Sequence, residues 1–180
     1  MLRLRPYRPS DADTVLSWIK SEEAFRKWSA DRYPNYPIKA EDMNHKYLVC
    51  NGDCSGPEDF YPMTAMDGED IMGHLILRYT DPEKSVIRFG FVIVDDSRRG
   101  MGYGKMMLKL ALDYAFNVLK AEKVTLGVLD NNPPAYYCYK AAGFLDVTPK
   151  EPEYYELMGR RIKCLELEIE RGAYHGLSAQ

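Results

Sequence analysis

The pattern of apolar and polar positions opens with a period of two. Over Leu2 to Arg8 apolar residues alternate with basic ones, as on a half-buried strand. It then shifts to a helical period. Val15, Leu16 and Ile19 form one apolar face behind Ser10, whose partner Asp13 three residues on gives a capping-box-like start. Ser21 opens a second helix with Phe25 and Trp28 three apart, and a short third helix is expected from Lys39 to about Tyr47. DRYPNYP (Asp31 to Pro37) reads as a turn-rich aromatic loop, and CNGDCSGPED (Cys50 to Asp59) as an exposed one.

The middle of the chain returns to strands. Asp67-Gly68 marks a hairpin within MTAMDGEDIMGHLILRY, the turn DPEK (Asp81 to Lys84) follows, and the apolar run Ser85 to Val94 suits a central strand. The clearest helix comes next. Met107, Leu110, Ala111, Tyr114, Ala115 and Val118 make an apolar stripe best explained as core packing. Lys123 to Leu129 is again a strand, so strand, helix and strand imply one parallel crossover. NNPPAYYCYKAAGF gives a helix with prolines in its first turn and Gly143 at its end. Leu165, Leu167 and Ile169 alternate with glutamates on a last strand. The order is α+β, with mostly antiparallel strands in one domain spanning residues 1–180.

Composition narrows the class. The chain has 180 residues, 46% hydrophobic and 28% charged, enough apolar content for a core of ordinary size. No run approaches the roughly 18 apolar residues of a membrane span, and MLRLRPYRPS lacks a signal-peptide core. A cytoplasmic protein without a membrane partner is expected. A net charge of −3 without a basic run argues against nucleic acid as the partner. Cys50 and Cys54 share a loop, Cys138 and Cys164 stand alone, and His45, His74 and His175 are far apart, so no metal motif appears. Free thiols are expected, and a homodimer is allowed for.

Against this acidic background one stretch stands out. RRGMGYGKMM (Arg98 to Met107) carries three glycines and no acid, just ahead of the long helix. Unpaired N–H groups at a helix start suit an anion, and glycines let the backbone approach it closely. A phosphate-binding P-loop is one residue too short here and has Met106 where a metal-binding hydroxyl is needed. A dinucleotide fingerprint starts well at Gly100 and Gly102, and Asp130 could serve the ribose, but Lys105 stands in place of the last glycine.

A third pattern fits at every position. Arg99 to Gly104 resembles the acetyl-CoA loop of the GNAT superfamily of N-acetyltransferases, Arg/Gln-x-x-Gly-x-Gly/Ala. Downstream, Asn132, Ala135, Tyr139 and Gly143-Phe144 are similar to that family's second segment at the expected distance. The motif-bearing resemblance covers about Phe89 to Phe144.

The resemblance implies a three-layer fold whose mixed, twisted sheet has a splayed central parallel strand pair and flanking helices. It implies acetyl-CoA as co-substrate and no metal. The pyrophosphate would rest on backbone amides of Gly100, Met101, Gly102, Tyr103, Gly104 and Lys105, with Arg99 opening the motif. The pantetheine arm would pass Val92 and Val94 and be held by Asn132. Tyr139 would protonate the departing thiolate, which is chemically apt because a phenol titrating at about 10 is neutral near pH 7.

A general base is harder to place. Arg88, Gly90 and Gly127 occupy positions where relatives carry a glutamate, Asp95 and Asp96 adjoin the loop and shape its turn, and His74 is a minor candidate. Without a strong base, a peptide N-terminus or a weakly basic small amine is the easier acceptor, since an α-amino group titrates at about 7.7–8.0 and a lysine at about 10.4. Phe25, Trp28 and Tyr33, with Tyr36, are candidates for the acceptor pocket or for plain core. Two alternatives stand beside the enzyme, a non-catalytic acyl-CoA sensor and a dinucleotide-binding domain, and within the enzyme reading a covalent route through Cys138 has no evident His partner.

Overall fold

The computed structural model describes residues 1–49 and 60–177. The expected Cys50–Asp59 loop therefore lies outside the described residues, with both of its cysteines. Eight strands form one sheet: β1 (Leu2–Pro6), β2 (Phe60–Asp67), β3 (Asp70–Tyr79), β4 (Val86–Val94), β5 (Lys123–Leu129), β6 (Leu145–Val147), β7 (Tyr154–Leu157) and β8 (Arg160–Glu170). The order is β1-β2-β3-β4-β5-β8-β6, with β7 pairing β8. Among the described residues β4 and β5 are the parallel pair, and the other ladders are antiparallel. The expected mixed sheet is present. The short strands β6 and β7 carry too few alternating residues to be seen in the pattern.

Helices α1 (Ala12–Ser17), α2 (Glu22–Ser29) and α3 (Ala40–Val49) cover one face, and α4 (Tyr103–Asp113) and α5 (Pro133–Ala142) the other. Ser21 caps α2 as its position suggested, accepting the Ala24 N–H at 3.2 Å. The start of α1 differs from expectation. A 3-10 turn, Pro9–Asp11, leads into it, and the buried Asp11, not Ser10, fixes that turn: its carboxylate accepts the Arg8 N–H at 3.0 Å, a bidentate pair from Arg5 and the Thr64 hydroxyl. The α4 stripe is also rotated. Met107, Ala111 and Ala115 are buried as expected, but Leu108, Leu112 and Phe116 complete the stripe in place of Leu110 and Tyr114. Residues Tyr114–Val118 widen into a π-helical turn, closed by the Leu119 N–H on the Tyr114 carbonyl (3.0 Å), and Val118 is thereby turned to solvent.

One irregularity arranges the centre. Gly90 pairs with Ile76 and Ile93 with His74, so Phe91 and Val92 share a β-bulge opposite Leu75. Phe91 has φ +46°, strained for a bulky residue. The bulge swaps the faces of β4. Before it, Ile87 and Phe89 pack under α4 and α5; after it, Phe91 and Ile93 pack under α1–α3, and Val92 and Val94 turn toward α4.

Candidate active site

The ladder between β4 and β5 runs only from Val86–Lys123 to Phe89–Leu126. Beyond that point the strands part. The bulge falls at the opening, so the facing backbone edges of Gly90–Val94 and Gly127–Leu129 lie free of each other. A cleft of about 910 Å³ fills the gap and continues along the glycine loop and between α2 and α5.

At one end of the cleft the groups on offer are backbone. Gly100 (φ +80°) and Gly102 (φ +86°) take left-handed conformations, and a Cβ at either would project into open space. Gly102 is the N-cap of α4, and the Met106 N–H is the first to bond back, to the Gly102 carbonyl at 3.0 Å. The amides of Tyr103, Gly104 and Lys105 thus have no acceptor within the helix. The Met101 N–H is turned inward onto the Arg98 carbonyl, and the Met101 side chain is exposed and outside the cleft lining. Arg98, Arg99 and Lys105 line the same end, and Asp95 shapes the approach by accepting the Ser97 N–H and hydroxyl. Tyr103 ties the loop to the β2–β3 turn through Asp67 at 3.2 Å.

This end fits coenzyme A on grounds internal to the molecule. Orphaned amides, a positive helix end and basic side chains suit a pyrophosphate, and a parted strand edge suits an arm with two amides. Val92, Val94 and Asn132 line the cleft where that arm would run. Asn132 is the N-cap of α5, but its side chain makes no cap bond and stays available.

Tyr139, on α5, also lines the cleft. It is 7% exposed, and its hydroxyl has no hydrogen-bond partner among the described residues. Burial pushes its pKa well above that of an ordinary phenol, with Cys138 and Cys164 adding to the shift. The phenol therefore keeps its proton at neutral pH, as a donor must.

The other end is built of side chains. Arg88 on β4 reaches over Gly127 on β5 to Glu166 on β8, giving bidentate bonds of 2.7 and 2.8 Å. A Cβ at Gly127 would lie 2.6 Å from Arg88 Nη2 and 2.7 Å from Cys164 Sγ, so the crossing requires glycine. Tyr155 donates to Glu153 at 2.8 Å beside them. Glu153, Cys164 and Glu166 bring one ligand atom each within 4.8 Å of one another. Glu166 is committed to Arg88, Glu153 accepts from Tyr155, and burial pushes the Cys164 thiol up to about 12. Cys138 is likewise shifted upward by burial and is a poor nucleophile.

The expected acceptor aromatics divide. Trp28 lines the cleft and donates its indole N–H to the Phe91 carbonyl at the bulge (2.9 Å). Phe25 and Tyr33 are buried behind it, at 1% and 4% exposure, in the α1–α3 core, and Tyr36 packs there too. His74 does not reach the cleft. It is fully buried, its Nε2 shares a hydrogen bond of 2.5 Å with the Tyr47 hydroxyl, and burial lowers its pKa to about 3. Sequence reasoning missed the Arg88–Glu166 pair. It saw Arg88 and Gly127 only as places lacking a carboxylate, and the β5–β8 register that joins them to Glu166 leaves no mark in the sequence.

Comparison with known proteins agrees with this geometry. A family model described as "Acetyltransferase (GNAT) family" matches residues 21–144. A spermidine N(1)-acetyltransferase of Vibrio cholerae is 33% identical over 55 residues, covering 31% of this chain and 32% of that protein. An N-acetyltransferase 9-like protein of Nematostella vectensis is 22% identical over 154 residues, 82% of this chain and 76% of the relative. Among solved structures, the Vibrio cholerae spermidine N-acetyltransferase with CoA and spermine superposes at a TM-score of 0.78 with 20% identity, over 96% of this chain and 97% of that one. An aminoglycoside acetyltransferase in complex with coenzyme A superposes at 0.72 with 17% identity, over 96% of each chain. At these identities the superpositions establish a shared fold.

Proposed function

The chain belongs to the GNAT acetyltransferase family, and on that premise we propose that it moves the acetyl group of acetyl-CoA onto a small amine or a peptide N-terminus by direct attack. The observation that carries this reading is the splayed cleft with orphaned amides at one end and Tyr139 facing into it. The loop amides of Tyr103, Gly104 and Lys105 hold the pyrophosphate. The thioester supplies an activated acyl carbon and a leaving group titrating at about 8.5 as the thiol.

The residues of the chain do the rest. The amine attacks as the neutral base, and the carbon–sulfur bond breaks as the carbon–nitrogen bond forms. Tyr139, held protonated by burial, gives its proton to the sulfur and takes one back from water as the amine's proton is lost, so the phenol is restored each turnover. No carboxylate in the described lining is placed as a strong base: Glu23 is there, but it is exposed and bonded to Lys27 at 2.7 Å. An amine that is appreciably neutral near pH 7.5 is therefore the fitting acceptor, and its proton leaves through water at the open mouth.

Thiol release from acetyl-CoA with a panel of amines tests this. Acetylated product with at least one acceptor class is expected. Tight acetyl-CoA binding with no product from any amine would leave the non-catalytic sensor as the better account.

A further inference from the structure

Among the described residues the acceptor end offers a substrate more guanidinium groups than carboxylates. We propose that the acceptor carries a carboxylate close to its amine, as an α-amino acid does, and that Arg88, oriented by Glu166, binds that carboxylate and so offsets the stabilisation it would otherwise give the protonated, unreactive amine. The inference rests on the acetyl-transfer reading above and names its substrate class.

Four observations converge on Arg88. It stands one residue before the last β4–β5 pair, at the point where the strands begin to part. Gly127 clears a path for its guanidinium, which crosses the face of β5 with no Cβ in the way. Glu166 takes one N–H from each of Nη1 and Nη2. A guanidinium has five N–H donors, so three remain, and no described residue accepts them. The side chain is 24% exposed and is one of those that line the cleft. A guanidinium anchored along one edge by a protein carboxylate and open along another is preorganised for a second, planar anion.

The surroundings agree. Away from the glycine loop the described lining holds Lys27, Arg32, Arg78 and Arg88 against one carboxylate, Glu23, and Lys27 is paired with Glu23 and Arg32 with Asp31. Arg78 stands directly across the ladder from Arg88 and lines the same wall. A polyamine brings further positive charges that would need carboxylates there, whereas an amino acid brings one negative charge. Trp18, Ile19 and Trp28 on the facing wall supply an apolar surface for its side chain.

The test uses a matched set: phenylalanine, phenylalaninamide, phenethylamine and spermidine, assayed by thiol release in the native protein and in Arg88→Gln/Glu166→Gln. The double variant removes the cation without stranding its partner. The native protein should favour phenylalanine over its amide by roughly tenfold or more in kcat/KM, the effect of one charge-assisted bidentate contact. In the double variant the ratio should fall at least tenfold, to one or below, while the amide is still turned over, since the amide's amine is the more neutral once no cation offsets the carboxylate. Equal use of acid and amide, a preference for spermidine, or a ratio that survives in the variant overturns this inference and leaves the acetyl-transfer reading standing. Acetyl-CoA binding with no acceptor turned over overturns both. If the variant does not fold, the native ratio alone decides.

Discussion

The two ends of the cleft are made of different materials. The cofactor end is backbone: three amides of one helix turn, two left-handed glycines and the edge of a parted strand. The acceptor end is side chain: Arg88, Glu166, Trp28 and Tyr155, from four separate elements. A backbone site tolerates almost any residue that preserves the conformation, so it recurs with its local spacing intact. A side-chain site depends on the identity and register of distant residues, so it can change with the substrate while the fold stays the same.

This contrast predicts separable damage. The largest effect should come where the two ends meet. Tyr139→Phe is expected to lower turnover roughly 100- to 10,000-fold, the usual range for losing a positioned proton donor, while calorimetry finds acetyl-CoA affinity within about twofold of the native value. A parallel loss of affinity would make Tyr139 a packing residue. Next, Gly102→Val forces a β-branched residue to φ +86° at the start of α4, a strain of at least about 1–2 kcal/mol. Acetyl-CoA should bind about tenfold more weakly or worse, while relative preference among acceptors is unchanged.

The acceptor end should break the other way. Gly127→Ala places a methyl group 2.6 Å from Arg88 Nη2. Thermal unfolding should report a loss of about 1–3 kcal/mol from overpacking, and acceptor-dependent turnover should fall with little change in cofactor affinity. The smallest effect lies outside both ends. His74 has a folded pKa of about 3, against an ordinary value of 6.5. Between those values the unfolded chain binds the extra proton, so stability is complete above about pH 6.5 and declines as pH falls toward 3. Denaturant titrations at pH 7 and pH 5.5 should differ by roughly 1 kcal/mol from this group. His74→Gln should flatten that slope without altering acceptor preference in the pH 7 assay.

The same contrast explains what could be read from the sequence. Gly100, Gly102 and Gly104 before an apolar stripe state a loop and a helix start directly, and Asn132 to Gly143 state the next helix with both ends. The parallel crossover follows from element order. The bulge at Phe91 does not, because nothing in FGFVIV marks one residue as extra, and yet it decides which face Val92 and Val94 occupy. The stripe of α4 is legible at Met107, Ala111 and Ala115 but not in its larger members, since Leu108 and Leu112 read as well as Leu110 and Tyr114 without knowing what lies across from them. Glu166, Glu168 and Glu170 look alike in the sequence, and only the partner across Gly127 distinguishes the first. Phe25 and Trp28 likewise sit on one helix face, but one fills the core and the other reaches the cleft.

The central claim is that the glycine loop and the parted edge of β4 hold acetyl-CoA independently of the acceptor end. Calorimetric titration with acetyl-CoA of the native protein, Gly102→Val and Gly127→Ala tests it most directly. The account predicts one site per chain in the native protein, weakened in Gly102→Val and retained in Gly127→Ala. No heat of binding at millimolar acetyl-CoA, or equal weakening in both variants, would contradict it.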